Sequence, residues 1–203
     1  MRPRRFIYTL AAANLTGFAS NATGATWPLT ATTAGDGVAH PVTIRNDSVT
    51  DHAAKTVILT GTDANGQPQT ETMNLPAGSA TVTSTKYFLT LTSVVPSATI
   101  GADTMDIGWT ALAQTPIFPV DHAKLTGPVL SVGVGGTITF VGQQTATPIY
   151  KYPNAGDQLW QTLIASGSAS AIAQGLSGIT GVRVTVESHT SGILTVSISQ
   201  ARV

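Results

Sequence analysis

The sequence predicts an all-β protein: two small β-sandwich or jelly-roll-like modules preceded by an extended N-terminal arm. Three observations carry that expectation. Threonine is over-used, at 33 of 203 residues, and it accompanies many valines and isoleucines, the β-branched types that suit a pleated, half-buried surface. Charged residues make up only 10%, against about 25% in ordinary soluble domains, so hydroxyls must supply much of the surface polarity. Short alternating segments recur every 8–12 residues or so with turn signals between them, as in sandwiches and barrels.

The elements follow in order. Residues 1–27 read as the arm. Arg2, Arg4 and Arg5 followed by a mildly apolar stretch from Phe6 to Ala19 look superficially like a secretory signal, with a mature end near Thr23. Thr9, Asn14, Thr16 and Gly17 interrupt that stretch, and Pro3 sits inside the basic cluster. An arm lying on a partner is the competing reading, since arginines suit carboxylates and backbone carbonyls of a neighbour. Residues 28–112 form the first expected module. Its strands are Pro41–Arg45, Thr56–Thr60, Gln69–Leu75, Ala80–Ser84, Tyr87–Val95 and Met105–Trp109, with Asn65-Gly66 a hairpin turn. Residues 113–128, holding Pro116, Pro119 and Pro128, read as a linker. Residues 129–203 form the second expected module. There Leu130–Val134 and Thr137–Val141 flank a Gly135-Gly136 hairpin, and Gly181–Glu187 turns through Ser188–Gly192 into Ile193–Ser199. Pro148–Tyr152 and Gln158–Ile164 read as strands, and Ser168–Leu176 as a short helical turn or loop.

Composition excludes several kinds of chemistry. The formal net charge is zero, which gives no field for nucleic acid. Cysteine is absent, so disulfides, thiolate metal sites and cysteine nucleophiles are excluded. No apolar run approaches the ~20 residues of a membrane helix. A surface this poor in charge is weakly protected against association, which points to life in an assembly.

No catalytic constellation stands out. Asp51-His52 and Asp121-His122 supply ligand types for a metal if the modules meet, but their spacing matches no ligand motif; the competing reading makes all four histidines solvent-facing turn residues. Asp63, Asn65 and Gly66 share types with a calcium loop, yet Asn74 stands where the closing Glu is required. Gly133-Val134-Gly135-Gly136 lacks the dinucleotide fingerprint. Asp103 and Asp106 are too close in sequence to argue a glycosidase pair. Tyr150, Tyr152 and Trp160 with Lys151 suit a sugar or a partner, or else the core. No cofactor, metal or enzymatic activity is expected.

One resemblance bears on function. Residues 57–94 contain Thr-Gly-Thr-Asp-Ala-Asn-Gly, then Glu71-Thr72, then Thr81-Val82-Thr83-Ser84-Thr85-Lys86-Tyr87-Phe88 and Leu91-Thr92-Ser93-Val94. This stretch resembles a module of tailed-bacteriophage virion structural proteins. The Arg-x-Arg-Arg start, the Leu10–Ala13 run and the Gly181–Val186 and Gly192–Gln200 segments are similar to such proteins as well. The resemblance covers about two-thirds of the chain and leaves Trp109–Tyr152 unmatched. It implies a non-catalytic virion structural protein and does not separate decoration from fibre, tail or neck; the leading expectation is a capsid decoration (cement) protein on the outer surface of the head. Its implied partners are the major capsid protein and copies of itself, a homotrimer being favoured over a dimer, with no nucleic acid, membrane or small-molecule ligand. A fibre, neck or tail component is the first alternative. A secreted carbohydrate-binding β-domain is the second, resting on the signal-like start and the aromatics. The residues expected at the interface are Arg2, Arg4, Arg5, Phe6 and Tyr8 of the arm, with Trp27 as a further anchor.

Overall fold

The computed structural model describes residues 3–124 and 126–200. Strand β1 (Arg4–Thr9) comes first. It is followed by β2 (Asn14–Ala22), β3 (His40–Asn46), β4 (Thr56–Thr62), β5 (Pro68–Asn74), β6 (Thr81–Phe88), β7 (Thr90–Pro96) and β8 (Met105–Trp109). The remainder are β9 (Ala113–Gln114), β10 (Phe118–Pro119), β11 (Val129–Thr145), β12 (Gln161–Gly167), β13 (Ala171–Gln174) and β14 (Gly181–Ser199). A single 3-10 turn, Ala155–Asp157, is the only helical element among the described residues. The all-β expectation is met.

Two compact units result. One is Ala13–Thr110; the other combines the residues up to Ala12 with those from Ala111 onward. This division departs from the 1–27, 28–112, 113–128 and 129–203 segments expected from sequence, and the reason is strand pairing. Residues 4–9 are not a free arm: all six pair in antiparallel register with β14, from Arg4↔Ile198 to Thr9↔Ile193. Residues 14–22, also expected in the arm, form β2 against β8. The expected linker supplies β9 and β10, both paired to β14.

The Ala13–Thr110 unit holds a four-stranded sheet, β2-β8-β3-β6, and a three-stranded sheet, β5-β4-β7. Inward rows from both are buried: Val42, Ile44 and Ile107 from the first, Val57, Leu59 and Leu91 from the second. Each such side chain contributes about 1.5–3 kcal/mol by leaving water. Side chains stitch β5 to β6. Glu71 of β5 accepts from the Thr85 N–H at 2.7 Å, the Thr85 hydroxyl at 2.9 Å and the Lys86 N–H at 2.9 Å. Lys86 Nζ in turn donates to Thr70 O at 2.7 Å. The β4–β5 loop is built by Asp63, whose buried carboxylate accepts from the Asn65 and Gln67 N–H groups at 2.8 and 2.9 Å. Gly66 there takes φ +78°, the left-handed value that glycine tolerates. The residues that suggested a calcium loop are therefore spent on closing a hairpin of five connecting residues rather than two.

The other unit is organised by one long antiparallel ribbon, β11 against β14, paired from Val129↔Ser199 to Thr145↔Gly181. The hairpins expected at Gly135-Gly136 and at Ser188–Gly192 do not form; each strand runs straight through its expected turn. The ribbon bends there instead. Phe6 pairs with Val196 and Phe118 with Val182, positions about 46 Å apart along an extended strand at ~3.3 Å per residue. Yet the Phe6 and Phe118 rings lie 4.5 Å apart, so β14 folds back and its two halves form facing layers. Gly136 and Gly192 are cross-strand partners at the bend, with φ +92° and +146°. Two register shifts, between Gly136 and Ile138 and between Thr139 and Phe140, each leave an extra residue on β14, which tightens the curve. The enclosed core comprises Leu130, Val132, Leu194 and Val196 from one half and Phe140, Val182 and Val184 from the other, all at most 1% exposed. Pro148–Tyr152, expected as a strand, is turn and irregular chain, while Ser168–Leu176 contains strand β13.

Candidate interaction surfaces

Strand β1 divides the predicted interface residues by the two-residue period of a strand. Arg4, Phe6 and Tyr8 lie on the half-buried side, whereas Arg5, Ile7 and Thr9 are exposed. Arg4 Nη2 donates to Pro119 O at 2.5 Å. Phe6 packs on Phe118. Burial pushes the Tyr8 hydroxyl up to about 12. These three make contacts within their own unit. Arg5 retains an outward guanidinium, and Arg2 lies outside the described residues. Trp27 is 3% exposed and belongs to the core of the Ala13–Thr110 unit. Its indole Nε1 has no hydrogen-bond partner among the described residues. It is no surface anchor here.

Sequence reasoning missed Ile7, 58% exposed beside the arginines. The signal was present: in Arg4–Thr9 one alternate set holds both aromatics, and a paired strand sends the other set outward.

The outer face of the β5-β4-β7 sheet was missed too. Ile58 stands opposite Thr72 on one side and Val95 on the other, with Ile58 46% and Val95 39% exposed. Thr60 stands between Thr70 and Ser93. The one ionisable side chain of these three strands, Glu71, pairs with Leu59 of the inward row and is turned toward β6. The outward face is therefore hydroxyl and aliphatic, without charge.

Three histidines expected at solvent-facing turns are buried nodes. His40 Nε2 lies 2.9 Å from Asp36 Oδ2 and Nδ1 3.1 Å from Thr110 O. His52 Nε2 lies 2.8 Å from Asp103 Oδ2. Hydrogen bonds from His52 first, then from Thr50 and Ser48, hold the Asp103 carboxyl below the usual carboxylate range. The His189 ring sits between Ala111 O at 2.5 Å and Ala11 O at 2.9 Å. Only His122 is exposed. Among the described residues no three His, Asp or Glu side chains gather as metal ligands, and Asp51-His52 and Asp121-His122 fall in different units.

Tyr150 is 84% and Tyr152 40% exposed on an irregular segment. Trp160 is covered by the Arg183 guanidinium, 3.8 Å from its ring centre. A hollow of about 370 Å³ on the β11–β14 bend is lined by Ile138 and His189 as well as by the hydroxyl residues Thr139, Ser168 and Ser188; the hydroxyls of Thr137 and Thr190 are bonded to each other.

The structure thus defines an all-β protein that exposes the edge of β1 and the uncharged outward face of the β5-β4-β7 sheet. No protein-family model, curated protein or solved structure matches the chain.

Proposed function

We propose that this protein is a structural component of a tailed-phage particle, a capsid decoration protein that binds the shell and stabilises it without catalysis. The observation that carries the reading is the character of the stretch that resembles virion proteins. Residues 57–94 build β4, β5, β6 and β7, and three of these strands present the uncharged outward face centred on Ile58 and Val95. Covering hydroxyls and methyls costs far less desolvation than covering charges. Such a face suits adhesion repeated across a lattice, where weak contacts multiply. Arg5, outward on β1, adds a cation for carbonyls or carboxylates of a neighbour.

Quantitative mass spectrometry and imaging of purified particles test the proposal. Decoration requires hundreds of copies distributed over the head, and particles lacking the protein must lose resistance to heat or chelators. An Ile58→Lys variant is expected to bind particles at least tenfold more weakly with an unchanged melting temperature. A few copies at one vertex supports the fibre, neck or tail alternative instead, and absence from the particle refutes the virion reading outright.

A further inference from the structure

We infer that β1 is a self-pairing edge: two copies of this chain join antiparallel through Arg5, Ile7 and Thr9, extending one seven-stranded sheet into the next. The inference stands on backbone geometry and is independent of the virion reading.

Strand β1 ends its sheet, with β14 on one side and no strand on the other among the described residues. In an antiparallel ladder, alternate residues turn both N–H and C=O toward the neighbouring strand, and those between turn them away. The Leu10 N–H donates to Gly192 O at 3.3 Å, and Leu10 opposite Gly192 continues the register of Thr9↔Ile193. Even-numbered residues of β1 therefore face β14. Arg5, Ile7 and Thr9 turn their N–H and C=O groups to the open edge, and all three are exposed. Each of the two bulges on β14 shifts this alternation by one residue, so together they restore it beyond the bend. Beyond the bulges Val184 O accepts from the Thr115 N–H at 3.0 Å, so even-numbered β14 residues there face β9 as those near the other end face β1.

An edge of unpaired backbone groups accepts another strand, and a second copy fits this one by register. Two-fold pairing centred on Ile7 sets Arg5 against Thr9 of the second copy, Ile7 against Ile7, and Thr9 against Arg5. Each of these pairs exchanges two N–H···O bonds, so every outward-facing backbone group of β1 is satisfied. Centring on Phe6 or Tyr8 leaves only two such pairs within the strand. Centring on Arg5 opposes two guanidinium groups and brings in Pro3, which has no N–H. In the favoured register the two Arg5 residues are four positions apart, about 13 Å, beyond the ~8 Å screening length of physiological salt.

Sedimentation of the full chain across a concentration series, with two variants, tests the pairing. Ile7→Pro removes an N–H that the β1–β14 ladder does not use, and an edge position tolerates proline. Ile7→Cys places one thiol in a chain that has no other. Across the two-fold the Cα atoms of an Ile7 pair lie about 5.5 Å apart, within disulfide reach. Expected results are a concentration-dependent dimer, at least tenfold weaker association for Ile7→Pro, and a disulfide-linked dimer of Ile7→Cys on mild oxidation. Thr72→Cys, exposed on another surface, is the control and should cross-link far more slowly. If Ile7→Pro melts early, the cysteine comparison decides alone. A chain that stays monomeric, a trimer, or an Ile7→Cys that cross-links no faster than Thr72→Cys overturns the pairing. None of these results bears on copy number in a particle, so the two proposals fail separately.

Discussion

Replacing Gly192 with alanine tests the bent ribbon directly. Gly192 has φ +146°, a conformation that costs an L-residue about 1–3 kcal/mol. A Cβ built there lies 2.1 Å from Gly135 O and 3.0 Å from Ile138 Cδ1. The first atom is backbone on the paired strand, so relief requires the ribbon to shift at its bend. Overpacking of that kind costs about 1–3 kcal/mol more. The combined loss of roughly 2–6 kcal/mol, at about 2–4 °C per kcal/mol for a chain of this size, lowers the melting temperature by roughly 4–24 °C. Gly133→Ala supplies the comparison. It lies on the same ribbon, opposite Thr195, and its added methyl meets only Thr195 Cβ at 3.6 Å. That variant should melt within about 2 °C of the parent, as substitutions without a disruptive mechanism do. Scanning calorimetry gives both temperatures, and near-ultraviolet circular dichroism reports whether core packing survives. If Gly192→Ala melts within about 2 °C of the parent, or if both variants lose stability equally, the bend is not held at the Gly136–Gly192 pair.

Two other perturbations follow from the unit formed by Ala13–Thr110. Glu71→Ala strips three hydrogen bonds from the β5–β6 seam; because the carboxylate is partly solvated, a loss of about 1–2 kcal/mol is expected, visible as a lower urea midpoint, with Glu71→Gln intermediate. Asp103, whose carboxyl is held below its usual range chiefly by His52, stabilises the fold above the unfolded carboxylate value near ~3.9. That contribution fades as pH falls through the lower folded value. Asp103→Asn should therefore flatten the acid limb of a stability–pH profile, and parallel profiles for parent and variant below about pH 4 would count against the His52–Asp103 contact.

The chain announces its strands more clearly than its topology. Thr56–Thr60 and Met105–Trp109 alternate or run apolar over a strand's length, and both are strands. The Gly135-Gly136 pair misleads because a double glycine permits a sharp bend as readily as a turn, and only the partner across the ladder decides. That partner is Gly192, 56 positions along the chain. Local reading cannot see it. The same limit hid the fate of the basic start. Alternation in Arg4–Thr9 marks a strand, but β14, which captures it, lies at the far end of the sequence. Among candidate interface residues, Arg5 was legible and outward. Phe6 and Tyr8 share the arm with the arginines, but their large apolar rings favour burial, and pairing with β14 turns that side inward. Ile58 and Val95 sit inside apolar runs, Val57-Ile58-Leu59 and Val94-Val95, so sequence alone marks them as core; only the pairing across the sheet shows that they stand on the outward face.

The pairing of Arg4 with Ile198 has a consequence for how the chain acquires its shape during translation. Everything β2 to β8 require is contained in one continuous span of sequence, so that unit can mature while the ribosome is still working. Strand β1 is made first yet waits 194 residues for its mate, about 10–40 s at 5–20 residues per second. Through that interval a nascent segment bearing Phe6, Ile7 and Tyr8 stays uncommitted. A circular permutant that joins β14 to β1 by a short tether would abolish the wait and should raise the yield of correctly folded chain.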